Sequence, residues 1–196
     1  VKIKVPPSRQ DKNNYHKTMR KLSLFIATSL DGYIAKPNDD LSFLKAVEKK
    51  GEDYGYEDFM ATIDTLIIGR KTYDYVIREI GASHYNNEQK DIYVITRTDR
   101  PSIGRMNFYA GNLTELVHRL KSVSGKNIYC DGGAEIINEL LKNDLIDELI
   151  ISVIPILLGG GTRLFKDGRP EQELELLNVK TFDTGLIQLH YKRAKK

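Results

Sequence analysis

Gly69-Arg70-Lys71-Thr72 places two adjacent cations and a hydroxyl directly behind an apolar, partly β-branched run, Leu66-Ile67-Ile68. A strand that empties through glycine into a helix start gathers backbone N–H groups, side-chain charge and the helix dipole in one place. That combination suits a phosphate. Two other strand ends share the pattern: Ile95 leads into Thr96-Arg97, and Cys130 leads into Asp131-Gly132-Gly133-Ala134. Ligands of open α/β sheets bind beyond the carboxyl ends of the strands. Together the three bends suit a ligand with several phosphates, such as a dinucleotide. Asp31 is the carboxylate to single out, because it follows a strand end and could point into the same crevice. An Asp-Gly pair is equally a turn former, and residue type alone favours the turn.

Other chemistries lack their residues. A G-x-G-x-x-G counted from Gly159 and Gly161 would need a glycine where Leu164 stands, and the chain holds no G-x-x-x-x-G-K-[ST]. His16, His84, His118 and His190 are scattered without metal-ligand spacing, so no metal site is expected. The Gly-x-Ser-x-Gly elbow of α/β-hydrolases is absent too.

The elements that must position these residues alternate between strand and helix patterns. Leu22–Ala27 is apolar on both faces and reads as a central strand. Ile34-Ala35 resumes a short extended piece. Asp40 could cap a helix whose apolar face holds Leu41, Leu44 and Val47. Tyr56–Ala61 is a short helix before the Leu66 strand, and Tyr73–Ile80 is helical before a polar loop over 81–90. Ile92–Ile95 and Asn107–Ala110 are strands. Asn112 caps an amphipathic helix with Leu113, Leu116, Val117 and Leu120 inward and Glu115 three residues past the cap. Asn127–Cys130 is a further strand, and the helix after it turns Ile136, Ile137, Leu140 and Leu141 inward. An apolar run, Leu149–Leu158, is broken by Pro155. Leu174–Phe182 and Leu186–Tyr191, joined by Asp183-Thr184-Gly185, read as an antiparallel hairpin at a sheet edge. The pattern predicts an α/β fold: three layers, α/β/α, around a mixed central sheet.

With 196 residues, 40% of them hydrophobic, the chain is long enough for one substantial core. The net charge is +3, but Lys2, Lys4, Arg9, Lys12 and Lys17 against Asp11 give residues 1–18 a charge of +4, leaving −1 for the rest. The body of the chain therefore carries no excess suited to nucleic acid. Pro6-Pro7 and the polar residues around them read as a flexible N-terminal extension, with a non-native origin as one reading, ahead of a domain over 19–196. Cys130 is the single cysteine, so no internal disulfide can form and a reducing cytoplasm is the expected compartment. No apolar run is long enough for a membrane span.

The order Ser29-Leu30-Asp31-Gly32-x-Ile34-Ala35, Gly69-Arg70-Lys71-Thr72-Tyr73, Ile95-Thr96-Arg97, Gly132-Gly133-Ala134-Glu135, then Pro155–Gly161 resembles the dihydrofolate reductase-like superfamily. Within it the chain is most similar to the riboflavin-biosynthesis reductase domain and its stand-alone relatives. The resemblance implies an NADPH site: Ala27 at the nicotinamide end, with Gly69, Arg70, Lys71 and Thr72 on the pyrophosphate and adenosine side. It implies Thr96 and Arg97 at the 2′-phosphate, and a cis Gly132-Gly133 peptide against the pyrophosphate with Ala134 and Glu135 behind it. Ser29 and Asp31 would line the substrate pocket, with Asp31 as the catalytic carboxylate. The reaction implied is hydride transfer to a small polar heterocyclic or sugar-derived substrate, as in a 5-amino-6-ribosylaminouracil phosphate reductase, by a homodimer. Two alternatives stay open. One is a non-catalytic nucleotide-binding protein that keeps the fold. The other is a dihydrofolate reductase, disfavoured because the chain has no Trp and only Asp39 and Asp40 near its first helix.

Overall fold

The computed structural model describes residues 19–85 and 89–194; the expectations for residues 1–18 lie outside them. Among these described residues, ten strands and four α-helices follow the order β1 (Leu22–Ser29), β2 (Tyr33–Ala35), α1 (Tyr56–Ala61), β3 (Ile63–Gly69), α2 (Arg70–Glu79), β4 (Asp91–Ile95), β5 (Met106–Tyr109), α3 (Leu113–Ser122), β6 (Asn127–Gly132), α4 (Ala134–Lys142), β7 (Glu148–Ile154), β8 (Thr162–Arg163), β9 (Leu174–Thr181) and β10 (Ile187–Arg193). Eight strands form one sheet in the order β5-β4-β3-β6-β1-β7-β10-β9. The first six are parallel, so their carboxyl ends share one edge of the sheet. β10 and β9 then close the sheet antiparallel, as the hairpin pattern predicts.

Side-chain alternation along the strands feeds a layer on each face. On β3, Ile67 turns to one side, where α3 and α4 bring Leu116, Val117, Ile137 and Leu140 against Leu22, Leu24 and Cys130. Leu66 and Ile68 turn to the other, joining Ile92, Val94 and Tyr129 beneath Phe59 of α1 and Tyr73 and Val76 of α2. At the amino ends of the strands, the buried Arg20 guanidinium pairs with Asp64 and donates to Thr65 Oγ1 at 2.6 Å and to the Leu120 carbonyl at 3.2 Å. That cluster locks the edge opposite the predicted ligand site.

Three local expectations change. The segment after Asp40 forms a 3₁₀ helix, Ser42–Val47, rather than an α-helix, with Phe43 and Val47 buried and Leu44 exposed. Phe43 rather than Leu44 fills the inward place, packing with Val47, Ile154 and Leu186. The polar loop over 81–90 contains a 3₁₀ turn, Ala82–Tyr85, that buries Tyr85. β8 pairs with β2 in a two-stranded sheet that no periodicity announced.

Candidate cofactor and substrate site

The bends singled out in the sequence meet at the carboxyl edge of the parallel strands. Gly69 ends β3 and stands at the entrance to α2; Gly133 follows β6 and stands at the entrance to α4. The two turns touch. A methyl group built on Gly133 would lie 2.6 Å from Thr72 Oγ1. One built on Gly69 would lie 3.0 Å from Ile136 and 3.5 Å from the Gly132 carbonyl. Glycine is required here by close approach rather than by backbone angle, because Gly69 and Gly133 have φ of −71° and −73°. The Gly132-Gly133 peptide is cis.

The helix starts in this crevice differ from that of α3. Asn112 caps α3, its side chain accepting the Glu115 amide at 3.1 Å. Neither α2 nor α4 has a side-chain cap, so their leading N–H groups remain available to an anion. Lys71 and Arg97 are exposed, and both bias Glu135 of α4 toward its charged form. Lys71, Arg97 and Gly133 thus share one side of the molecule. Arg70 is partly diverted, forming an i,i+4 ion pair with Asp74 on α2. Thr96 is held by a bond from its amide to the Tyr109 carbonyl, and its hydroxyl accepts the Thr98 amide. Glu135 is exposed and paired to Lys166, which holds its carboxyl below the usual range; Ala134 is buried. Paired uncapped helix ends, a glycine-lined gap and free cations fit a dinucleotide diphosphate with an added phosphate.

Ala27, partly buried near the end of β1, packs with the third apolar cluster around Phe43, Val47 and Ile154. Ser29 is buried, donates from Oγ to Asp31 Oδ1 at 2.6 Å and accepts the Tyr33 amide at 2.9 Å. Asp31 accepts three hydrogen bonds: Ser29 Oγ, the Leu158 amide at 3.0 Å and the Gly159 amide at 2.7 Å. These donors, Ser29 foremost, hold its carboxyl down at about 2. The geometry therefore gives Asp31 the work of clipping the 155–161 loop to the end of β1.

A second carboxylate, passed over in the sequence, stands closer to the turn. Asp131 directly precedes the Gly132-Gly133 pair at the end of β6 and points to the face where Phe25, Tyr56, Phe59, Tyr73 and Tyr129 gather. The Tyr85 hydroxyl donates to its Oδ2 at 2.7 Å, and the Tyr129 hydroxyl lies 2.8 Å from Oδ1. Burial pushes the Asp131 carboxyl up from its ordinary value against both phenols. Burial also raises the Tyr56 hydroxyl to about 12. The available signal was the two-residue spacing of Tyr129 and Asp131, which puts both on one face of a strand.

An open, mostly parallel sheet with a carboxyl-edge crevice, a cis diglycine turn and a closing antiparallel pair defines a dihydrofolate reductase-like fold. An Enterococcus faecalis dihydrofolate reductase structure with NADP(H) superposes with TM-score 0.57 at 18% identity, covering 89% of this chain and 97% of that one. The chain belongs to the RibD C-terminal domain family, which matches residues 20–188. It is 41% identical over 176 residues to the uncharacterized protein YwjB of Bacillus subtilis (strain 168), covering 89% of this chain and 99% of YwjB. A structure of a Shewanella sp. PV-4 protein assigned to riboflavin biosynthesis superposes with TM-score 0.80 at 31% identity, covering 89% of this chain and 99% of that one. No helix among the described residues is long and apolar enough to cross a membrane.

Proposed function

We propose that this chain is an NADPH-dependent reductase acting on a small polar heterocyclic or sugar-derived substrate, of the 5-amino-6-ribosylaminouracil phosphate type. The observation that carries it is the contact between the Gly69–Thr72 and Gly132-Gly133 turns beneath two uncapped helix starts. In this reading the N-termini of α2 and α4 hold the diphosphate, Lys71 neutralises it, and Thr96 and Arg97 take the 2′-phosphate. NADPH, when bound, supplies the hydride. Ala27 and the end of β1 orient the nicotinamide face.

Asp131 is the acid in this reading. It gives a proton to the substrate atom next to the hydride acceptor, is left as a carboxylate to which Tyr85 donates and toward which Tyr129 turns its own proton, and takes a proton back from water. The aromatic surface of Phe25, Tyr56 and Phe59 beside it suits a flat heterocycle. Asp31 and Ser29 act by fixing the loop at the pocket lip. A folate-type substrate is less well served, since Asp39 and Asp40 lie exposed on the surface before the 3₁₀ helix and Asp40 is spent on Ser42.

The test is a titration of NADPH and NADH, followed by NADPH fluorescence. Saturable NADPH binding with a Kd of about 10 μM or tighter, and weaker NADH binding by about tenfold or more, is the expected result. Equal affinities would remove the Arg97 assignment, and no binding would remove the reading.

A further inference from the structure

Asp131 stands between two buried phenols supplied by distant parts of the chain. Tyr85 and Tyr129 are 5% and 4% exposed, so water does not complete their hydrogen bonding. The Tyr129 hydroxyl lies 2.8 Å from Asp131 Oδ1 and also 3.1 Å from the Phe25 carbonyl oxygen. A phenol has one proton to give, and a backbone carbonyl can only accept. The β1–β6 ladder runs from Leu22–Ile128 to Leu24–Cys130 and stops, one residue short of Phe25. If Tyr129 gives its proton to Phe25, the short contact with Oδ1 requires a proton from the carboxyl side.

We infer that Asp131 rests near neutral pH as a carboxylic acid whose Oδ1 proton points to Tyr129, Tyr129 passing its own proton to the Phe25 carbonyl, and that Tyr85 and Tyr129 are the positioning residues of this acid. Tyr85, donating to Oδ2, fixes which oxygen carries the proton. Burial of the carboxyl acts in the same direction as this arrangement. The titratable groups that face Asp131 are Tyr85 and His84 from the 82–85 turn, Tyr129 from β6 and Tyr56 from α1. Only a protonated His84 among them adds positive charge. Tyr73 of α2 stacks on the Tyr85 ring at 6.0 Å and holds it in place.

The arrangement makes the two phenols act oppositely on one group. Tyr85 donates, which favours the carboxylate; Tyr129 accepts, which favours the neutral acid. Tyr85→Phe should therefore raise the Asp131 titration, and Tyr129→Phe should lower it. Two phenols that both donate would give two upward shifts.

This inference rests on the proposed reductase reading only for its purpose, so its test uses the protein without cofactor or substrate. Infrared difference spectra over a pH titration, assigned with Asp131→Asn, should show a protonated carboxyl stretch near neutral pH that moves in D2O. The wild-type spectrum alone decides that point even if a variant fails to fold. A carboxylate at neutral pH, or shifts of the same sign in both variants, overturns the inference. With NADPH and a turned-over substrate, the pH profile of the rate should follow the same two opposite shifts. A profile that ignores them while the infrared result stands would overturn the role of Asp131 in the reaction and leave its wiring intact.

Discussion

The Asp31 carboxylate accepts the backbone amide of Gly159 at 2.7 Å, joining the end of β1 to a loop 128 residues further along. The same carboxylate holds Leu158, and Leu30 donates to the Ile156 carbonyl at 2.9 Å beside it. Asp31→Asn keeps the size of the side chain but removes the charge that these donors favour. Amide exchange at Leu158 and Gly159 should quicken while that of Ile150 and Ile151 in β7 stays slow. Because the folded carboxyl titrates at about 2, its stabilising effect is complete above the ordinary carboxylate range and is lost as pH falls toward 2. The variant should lack that part of the acid-unfolding curve. Unchanged exchange at both amides would show that the loop is held by other contacts.

Gly133 tests the crevice itself. A methyl group there would meet Thr72 Oγ1 at 2.6 Å, closer than such atoms approach. Gly133→Ala should weaken NADPH binding by about tenfold or more, the loss of roughly one good hydrogen bond to a charged group. Adding Thr72→Ala removes the clashing oxygen and should recover part of the loss. Recovery is measured by NADPH fluorescence titration of the single and double variants; the absence of any recovery would place the fault elsewhere in the turn.

The sequence carried the sheet and the site edge because those depend on local signals. Leu66-Ile67-Ile68, the Asn112 cap with Glu115 and the Asp183-Thr184-Gly185 turn each announce their structure within a few residues, and β3, α3 and the β9–β10 pair follow. What stayed hidden depends on contacts across the chain. Tyr85 reads as part of a polar loop until Tyr73, 6.0 Å away, and Asp131 give it a buried place. Asp131 reads as a turn residue beside two glycines until the partners on its face are known. Asp31 was visible as a polar residue at a strand end, but its acceptors' partners, Leu158 and Gly159, lie too far along the chain for any motif to connect them.

Arg97 offers the test of cofactor choice. It is exposed on the carboxyl edge with Lys71 and Glu135, the position from which a guanidinium would meet an additional phosphate. Arg97→Ala should cost NADPH about tenfold to a hundredfold in affinity and leave NADH within about twofold. Parallel titrations of the two nucleotides check this. An equal loss for both would assign Arg97 to the diphosphate instead.

Asp131 should also leave a mark on stability. Its folded carboxyl is raised by burial, so the folded chain keeps a proton that the unfolded chain releases in the ordinary carboxylate range. Stability therefore falls as pH climbs from about 4 toward the raised value. Asp131→Asn keeps a neutral group of the same shape and should flatten this slope. Thermal melts of both proteins over that range are the measurement. Parallel curves would mean that the carboxyl titrates alike in both states.

We propose the outer edge of β9 as the surface of the homodimer that the family resemblance implies. β7 is paired on both sides, to β1 and β10, and is closed to a second copy. β9 has β10 as its neighbour and an open outer edge. Leu174, Leu176, Leu177 and Val179 on it are 41% to 51% exposed, an apolar run on a strand edge that soluble proteins normally cover or charge. Light scattering of the wild-type chain should return twice 22.4 kDa. Val179→Lys puts a charge in the middle of the strand without touching the core and should yield single chains. A wild-type mass of one chain, or a variant that stays at double mass, would remove β9 as the interface.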